Sequence, residues 1–518
     1  MATLYFTIFA WFQRGVYENF EARRLKTVAH LVVTLANAPL VICVRTAVPS
    51  SDIEQQSGFY SPINAFLYRC TRPEIVERTA RLASQLQSAQ RLRRGIGSNA
   101  AGVILVQALQ YTCFLVVANT LTPALLGMWT SANVMIAALT LLADLGVGVW
   151  YIRTATPSPQ ALASAFWLSA VFGTGLSLLA GCALGLGIPG VQLAWRELVM
   201  GLLPVVVLVA VSSVPRAHLE KTLAFGRIAV IESIAMLVNV TVTLGLLKLG
   251  AGVWALAFGL LALHLVQSVL YWLHARLAIQ HLPDRAECRQ ILRFGLPLLG
   301  TRGLGHFNAN IDYVLIGSLF GTAMLGQYAL AYKLVTYPML KVSSTVMRVA
   351  YPIFAQLQND LPQSRDVYRK LVRRLAWCLM PALVALAVYA DRLIPALFGA
   401  HWEAAVVFTR ILVFVGLLKA LSFAVGLIYV SQGRPDMEFR ANLMGTCVLP
   451  LCLWVGTFWG PYGLAWGFVV TACMLAPYQV FRAHALIGLT TRHYLGALKY
   501  PLGVSTLVGA FLYATTYP

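Results

Sequence analysis

The chain is 518 residues long, 59% apolar and only 11% charged, with a formal net charge of +20. Soluble domains carry about 25% charged residues, so this composition excludes an ordinary soluble protein. The basic balance does not read as nucleic-acid binding either, because the Lys and Arg residues sit mainly in short loops between apolar runs, where membrane topology puts them. Those runs, each of about 20 residues, predict an all-α polytopic membrane protein. The short alternating segments of an outer-membrane barrel are absent. The nine cysteines are scattered and none forms a CxxC pair, so neither a disulfide framework nor a zinc site is expected. No metal and no cofactor is predicted.

Residues 1–90 form an extension of unknown role. Met1–Gln13 is apolar but short for a span, and Val28–Val44 only reaches the lower length limit. Pro73–Arg94 reads as an amphipathic helix rich in Arg and Glu. No small-residue cleavage site follows a tidy apolar core, so a cleaved signal peptide is not expected. The extension is read as cytoplasmic or interfacial, with a pair of extra spans as the alternative.

From Gly95 the pattern becomes regular. Spans are predicted at 97–119, 124–149, 161–187, 198–215, 228–248, 252–274, 292–318, 322–352, 374–398, 404–430, 438–459, 462–483 and 497–517, about thirteen by the ~20-residue rule. With the N-terminus cytoplasmic, the cytoplasmic loops gather Arg153, Lys221, Arg276, Arg285, Arg369, Lys370, Arg434 and Arg482 among others. The opposite loops hold only Arg196, Lys248 and Arg392. That asymmetry is what the positive-inside rule demands, and an error in the middle of the count would have scrambled it. The opposite loops are also short, with no room for an extracytoplasmic catalytic domain.

An internal repeat runs through this pattern. Thr122-Pro123-Ala124-Leu125-Leu126-Gly127-Met128-Trp129 resembles Gly321-Thr322-Ala323-Met324-Leu325-Gly326-Gln327-Tyr328, and both join a first span to a second. Gly250-Ala251-Gly252-Val253-Trp254-Ala255 resembles Gly460-Pro461-Tyr462-Gly463-Leu464-Ala465, and both open a sixth span. Six spans per half, an even number, give the halves one orientation: the parallel repeat of many transporters.

The stretch Arg293–Pro352 carries charge at depths where a passive anchor carries none. Ionisable groups there cost roughly 2.5–3.5 kcal/mol each on insertion scales and so mark function. In the eighth span Lys333, Tyr337, Lys341, Ser344 and Arg348 share one helical face about 80° wide. The face reads as the wall of a water-filled cationic pathway; snorkelling of the basic side chains to an interface is the alternative. In the seventh span Arg302, His306 and Asn310 share another face, and Gly300, Gly303 and Gly305 predict a weak, bendable helix. Asp312 reads either as a structural partner of a basic residue such as Lys333 or as a proton or sodium site. Asp144, charged near the end of the second span, is a second candidate for ion coupling, and Lys419 lies near the middle of the tenth span. Polar groups of the first half such as Gln107, Gln110, Asn119, His264 and Gln267 read as interhelical glue. No GxxxxGK[ST], HExxH or GxSxG sequence is present, so no nucleotide site in this chain drives the work.

Beyond residue 91 the chain resembles bacterial polysaccharide transporters of the multidrug/oligosaccharidyl-lipid/polysaccharide flippase superfamily, in their colanic-acid-exporter-like branch. The segments that carry the resemblance are LTPALLGMW (121–129), LADLGVGVWYIR (142–153), GVWALAFG (252–259), IDYVLIGSLFGTAMLGQYALAYKLVTYP (311–338), ALFGAHWEAA (396–405) and VSQGRPDMEFR (430–440). The resemblance implies two six-helix bundles around a central cavity, over 91–275 and 276–485, followed by an additional C-terminal helix over 486–518. It implies alternating access that moves an undecaprenyl-pyrophosphate-linked oligosaccharide across the bacterial cytoplasmic (inner) membrane, coupled to an H+ or Na+ gradient. Arg302, His306, Lys333, Tyr337, Lys341, Ser344, Arg348 and Lys419 would then face the pyrophosphate, whose two negative charges they can neutralise. Expected partners are this lipid-linked oligosaccharide, membrane lipids, and the polysaccharide polymerase or export machinery, with no nucleic acid. A cation-coupled drug or metabolite exporter of the same superfamily is the competing reading, and its cavity would favour acidic groups. A membrane-embedded glycan polymerase or ligase is third, and it would need a sizeable outside loop.

Overall fold

The computed structural model describes residue 106 and residues 109–187, 192–358, 360–422 and 424–516. The extension predicted over 1–90 lies outside the described residues. Among them the chain is helical, without a strand, and eleven helices are long and apolar enough to cross a membrane. A helical stretch over 109–120 comes first. The helices that follow are α1 (Pro123–Asp144), α2 (Val147–Arg153), α3 (Pro159–Gly185), α4 (Leu193–Lys221), α5 (Phe225–Lys248) and α6 (Val253–Ala275). After a short connection come α7 (Arg285–Gln356), α8 (Leu361–Phe398), α9 (Glu403–Ser422), α10 (Val425–Ser431), α11 (Pro435–Thr457), α12 (Gly460–Ile487) and α13 (Thr491–Thr516).

The helix starts follow local chemistry. Thr122 and Ser158 stand before a proline at the first helical position, and the Ser158 hydroxyl accepts from the Ala161 amide at 3.0 Å. Asp284 accepts from the amides of Ala286 and Glu287 and so opens α7, and Asp360 accepts from Gln363 to open α8. These side chains satisfy amide donors that have no partner in a first turn. Helix α8 therefore begins well ahead of the predicted 374, because its charged first turns are helical as well. Asp366 pairs there with Arg369 at 3.1 Å and Lys370 at 2.6 Å, the neighbours one turn on.

Two breaks shape the bundle. Helix α7 is 72 residues long and has one non-helical residue, Gly321 at φ 85°, ψ 170°, inside the turn predicted over 319–322. It thus holds two spans. The second break divides the predicted span 124–149. Leu145 at φ 47° and Gly146 at φ 69° separate α1 from α2. At Gly300, Gly303 and Gly305 the backbone of α7 stays helical.

The protein is an all-α polytopic membrane protein of two six-helix bundles in parallel repeat. In the first, α1 packs on α3 and α4, and α6 packs on α4 and α5. Its core centres on Ile136, Leu198, Leu202 and Val206. In the second, α9 packs on α7, α8 and α12, with α11 along α12, around Tyr328, Phe408, Leu453 and Leu464. Helix α13 lies against α8. The loop residues divide the molecule into a basic end, with the 276–284 and 432–434 connections, and an opposite end, with the turns at 121–122 and 321.

Candidate functional site

At the opposite end the two repeat segments face each other. A Cβ added at Gly127 would overlap the carbonyl oxygen of Thr322, and one added at Gly326 would overlap that of Pro123. Gly127 and Gly326 are equivalent in the repeat, as are Pro123 and Thr322, so the halves cross here around a local two-fold. Small residues permit such close backbone approach between helices in lipid. Two hydrogen bonds tie the same end. The Trp402 indole Nε1 donates to Ala118 O at 2.9 Å, and Asn119 Nδ2 donates to Leu397 O at 2.9 Å. Residues from both halves, including Val117, Leu126, Leu330 and Phe398, bury one shared apolar cluster around them.

Toward the basic end, Arg302 of α7 reaches α1. Its Nη1 lies 3.0 Å from Asp144 Oδ2, with the side chains 38% and 23% exposed. The chain break explains the geometry. Asp144 is the last residue of α1, and a Cβ at Gly295 would overlap the Leu145 carbonyl oxygen, so α7 sits directly on the break. Read from the sequence, Arg302 and Asp144 had separate roles as cargo ligand and ion-coupling group; the fold joins them as one ion pair across the two halves.

The remaining described candidates occupy the second half and its border. Lys333 is half-buried with its Nζ 4.9 Å from the centre of the Phe114 ring, a contact from α7 to the helical stretch of the first half. Lys419 lies over the Phe468 ring at 4.7 Å and 6.0 Å from Tyr332. Such cation–π contacts hold an ammonium group against an aromatic face without consuming its hydrogen-bond donors. His306 shares its turn with Asn310, whose Nδ2 donates to His306 O at 2.8 Å. The Nε2 of His306 is buried and makes no hydrogen bond. Tyr337, Lys341, Ser344 and Arg348 fall on the second span of α7, and their side chains lie outside the described residues.

Asp312 is buried, at 3% exposure. Its Oδ2 accepts from the Tyr328 hydroxyl at 2.7 Å and its Oδ1 from the Tyr313 amide at 2.9 Å. Lys419, whose charge interacts with that of Asp312, stands over the adjoining Tyr332 and Phe468 rings. Around the pair stand Tyr313, Tyr328, Tyr332 and Phe468, with Tyr332 stacked on Phe468 at 6.3 Å. Sequence reasoning missed these aromatic partners. Tyr328 and Tyr332 stand four residues apart beside Lys333, a spacing that places them on one face and was the available signal.

Two repeated helical halves that meet on charged side chains define a membrane transporter with the fold of the multidrug/oligosaccharidyl-lipid/polysaccharide flippase superfamily. Similar solved structures include the lipid II flippase MurJ in an inward closed conformation, at a TM-score of 0.62 and 12% identity, covering 80% of this chain and 97% of that one. Another is an inward-facing multidrug resistance MATE transporter of the MOP superfamily, at a TM-score of 0.56 and 17% identity, covering 74% and 96%. Residues 116–407 match the family of polysaccharide biosynthesis proteins, and the chain belongs to that family. Among its relatives is the lipopolysaccharide biosynthesis protein WzxC of Escherichia coli (strain K12), 26% identical over 427 residues, 80% of this chain and 85% of that protein. The teichuronic acid biosynthesis protein TuaB of Bacillus subtilis (strain 168) is 28% identical over 299 residues, 57% of this chain and 62% of TuaB.

Proposed function

We propose that the protein moves a lipid-linked oligosaccharide, carried on undecaprenyl pyrophosphate, from the inner to the outer leaflet of the bacterial cytoplasmic membrane. The observation that carries this reading is the pair of cations at the interface of the halves, Arg302 and Lys333, with Lys419 inside the second half. A pyrophosphate entering from the basic end meets Arg302 first, and a guanidinium matches phosphate oxygens in a two-pronged geometry. Asp144 holds that guanidinium until the cargo competes for it. Lys341 and Arg348, on the same helix as Lys333, extend the cationic path. A drug exporter for cationic cargo would need the opposite charge.

In this reading the basic end faces the cytoplasm. The bundles over 91–275 and 276–485 rock against each other, with the Gly127–Gly326 crossing as the outer closure. Asp312, held by Tyr328 and facing Lys419, is the site through which an H+ or Na+ gradient biases the cycle. Polysaccharide polymerase or export machinery would receive the cargo on the far side. The test is complementation of a strain lacking the protein. Wild type restores surface polysaccharide; Arg302→Ala, made at normal protein level, does not. Restoration by Arg302→Ala would remove the interface cations from the reading.

A further inference from the structure

Away from the interface of the halves, a cleft of about 240 Å³ opens at the basic end of the second bundle. Tyr429 of α10, Arg434 and Arg440 at the start of α11, and Tyr478 and Arg482 near the end of α12 line it. Among the described residues none of α1 or α7 lines it. We propose that this cleft binds the phosphate of an anionic phospholipid headgroup from the surrounding leaflet.

The charges in the cleft are not all free. Arg434 is committed to Asp436, through Nε at 2.9 Å and Nη2 at 3.1 Å. The Glu438 carboxylate lies against Gly426. Among the described residues Arg440 and Arg482 make no ion pair, although the Asp436 carboxylate also acts on Arg440. The Arg482 guanidinium rests on the Tyr478 ring, 5.7 Å from its centre, a contact that orients the plane while leaving its N–H donors outward. The Tyr429 hydroxyl donates to Gln479 O at 2.9 Å and so fixes α10 to α12 as one wall. Arg440 and Arg482 are both exposed and stand on opposite helices, so a phosphate between them would take donors from each side.

A second observation selects a lipid over a soluble phosphate. Each arginine is preceded by an exposed phenylalanine, Phe439 at 55% and Phe481 at 66% exposure. Leu443 and Met474, about one and two turns deeper along the same two helices, are exposed too. These four residues stand on the same two helices as the arginines, outside the cleft lining, on exposed apolar surface where acyl chains would lie. Basic pockets between spanning helices at the cytoplasmic side are known headgroup sites, and the anionic leaflet supplies the ligand.

The test uses the purified full chain in neutral detergent, with cardiolipin, phosphatidylcholine or inorganic phosphate added separately, read by native mass spectrometry and thermal stability. Wild type should retain cardiolipin and gain stability with it, and with neither of the others. Arg440→Gln/Arg482→Gln should weaken cardiolipin retention on the order of tenfold, about 1.4 kcal/mol. Arg492→Gln, an exposed arginine of the same end outside the cleft, should keep it. Equal retention by the double variant overturns the site. Equal loss in Arg492→Gln reduces it to general surface charge and overturns it too. Stabilisation of wild type, but not of the double variant, by inorganic phosphate assigns the cleft to a soluble anion and overturns the lipid.

Discussion

Gly127 and Gly326 stand at equivalent positions of the two halves, and each meets a backbone carbonyl of the other, Thr322 for Gly127 and Pro123 for Gly326. The repeat that the sequence shows is therefore also a contact. A side chain at either glycine must push the halves apart at this end. Overpacking of this kind costs about 1–3 kcal/mol. Gly127→Val or Gly326→Val should lower transport by at least about tenfold, the equivalent of ~1.4 kcal/mol. With native cysteines removed, Asn119→Cys should then react faster with a membrane-impermeant maleimide added from outside. Unchanged labelling and transport would take this crossing out of the transport cycle.

Arg302 and Asp144 form a partly exposed pair, and such pairs contribute about 0.2–1 kcal/mol to stability. Arg302→Ala should therefore shift unfolding by less than ~1 kcal/mol while surface polysaccharide is lost. The exchanged variant Asp144→Arg/Arg302→Asp restores the ion pair but moves the cation to α1. It should remain inactive if Arg302 binds cargo. Full recovery of transport in the exchanged variant would make the pair a latch and nothing more.

Asp312→Asn keeps an acceptor for the Tyr328 hydroxyl but removes the charge that Lys419 faces. Transport by this variant should no longer respond to an imposed H+ or Na+ gradient, and protein level should be unchanged. A gradient response equal to wild type would reduce Asp312 to a structural acceptor. Tyr328→Phe separates the two roles from the other side. It leaves a buried carboxylate oxygen short of a donor, at a cost of about 1–3 kcal/mol, measurable as a lower unfolding temperature.

Lys333 and Lys419 each rest on an aromatic ring. Lys419→Gln and Lys341→Ala should each abolish polysaccharide export, whereas Lys419→Arg should retain part of it, since charge and ring contact both survive. Normal export in Lys341→Ala and Arg302→Ala alike would sink the cationic path.

Much of the fold was legible because lipid imposes simple rules. Apolar runs of set length and the bias of Lys and Arg between loops located the spans from 124 onward, and the repeat located the turn at Gly321. What stayed hidden was tertiary. The sequence LADLG falls inside the predicted span 124–149, and nothing local shows that Leu145–Gly146 breaks there to receive Gly295. Asp144 and Arg302 are 158 residues apart, and their pairing depends on how the halves meet. Helical angles put charges on a face; they did not show that Tyr328 would occupy Asp312, or that Lys419 would stand over the neighbouring rings. The start of α8 was misjudged for another reason. Its basic first turns read as a loop, whereas Asp360 and the i,i+4 charge pairs keep them helical.

The most direct measurement reconstitutes the full chain in liposomes and follows a fluorescently labelled undecaprenyl-pyrophosphate oligosaccharide between leaflets. Wild type should make the lipid accessible to an external sugar-modifying enzyme within the assay, and Arg302→Ala should not. No movement by wild type, or equal movement by Arg302→Ala, would contradict the account.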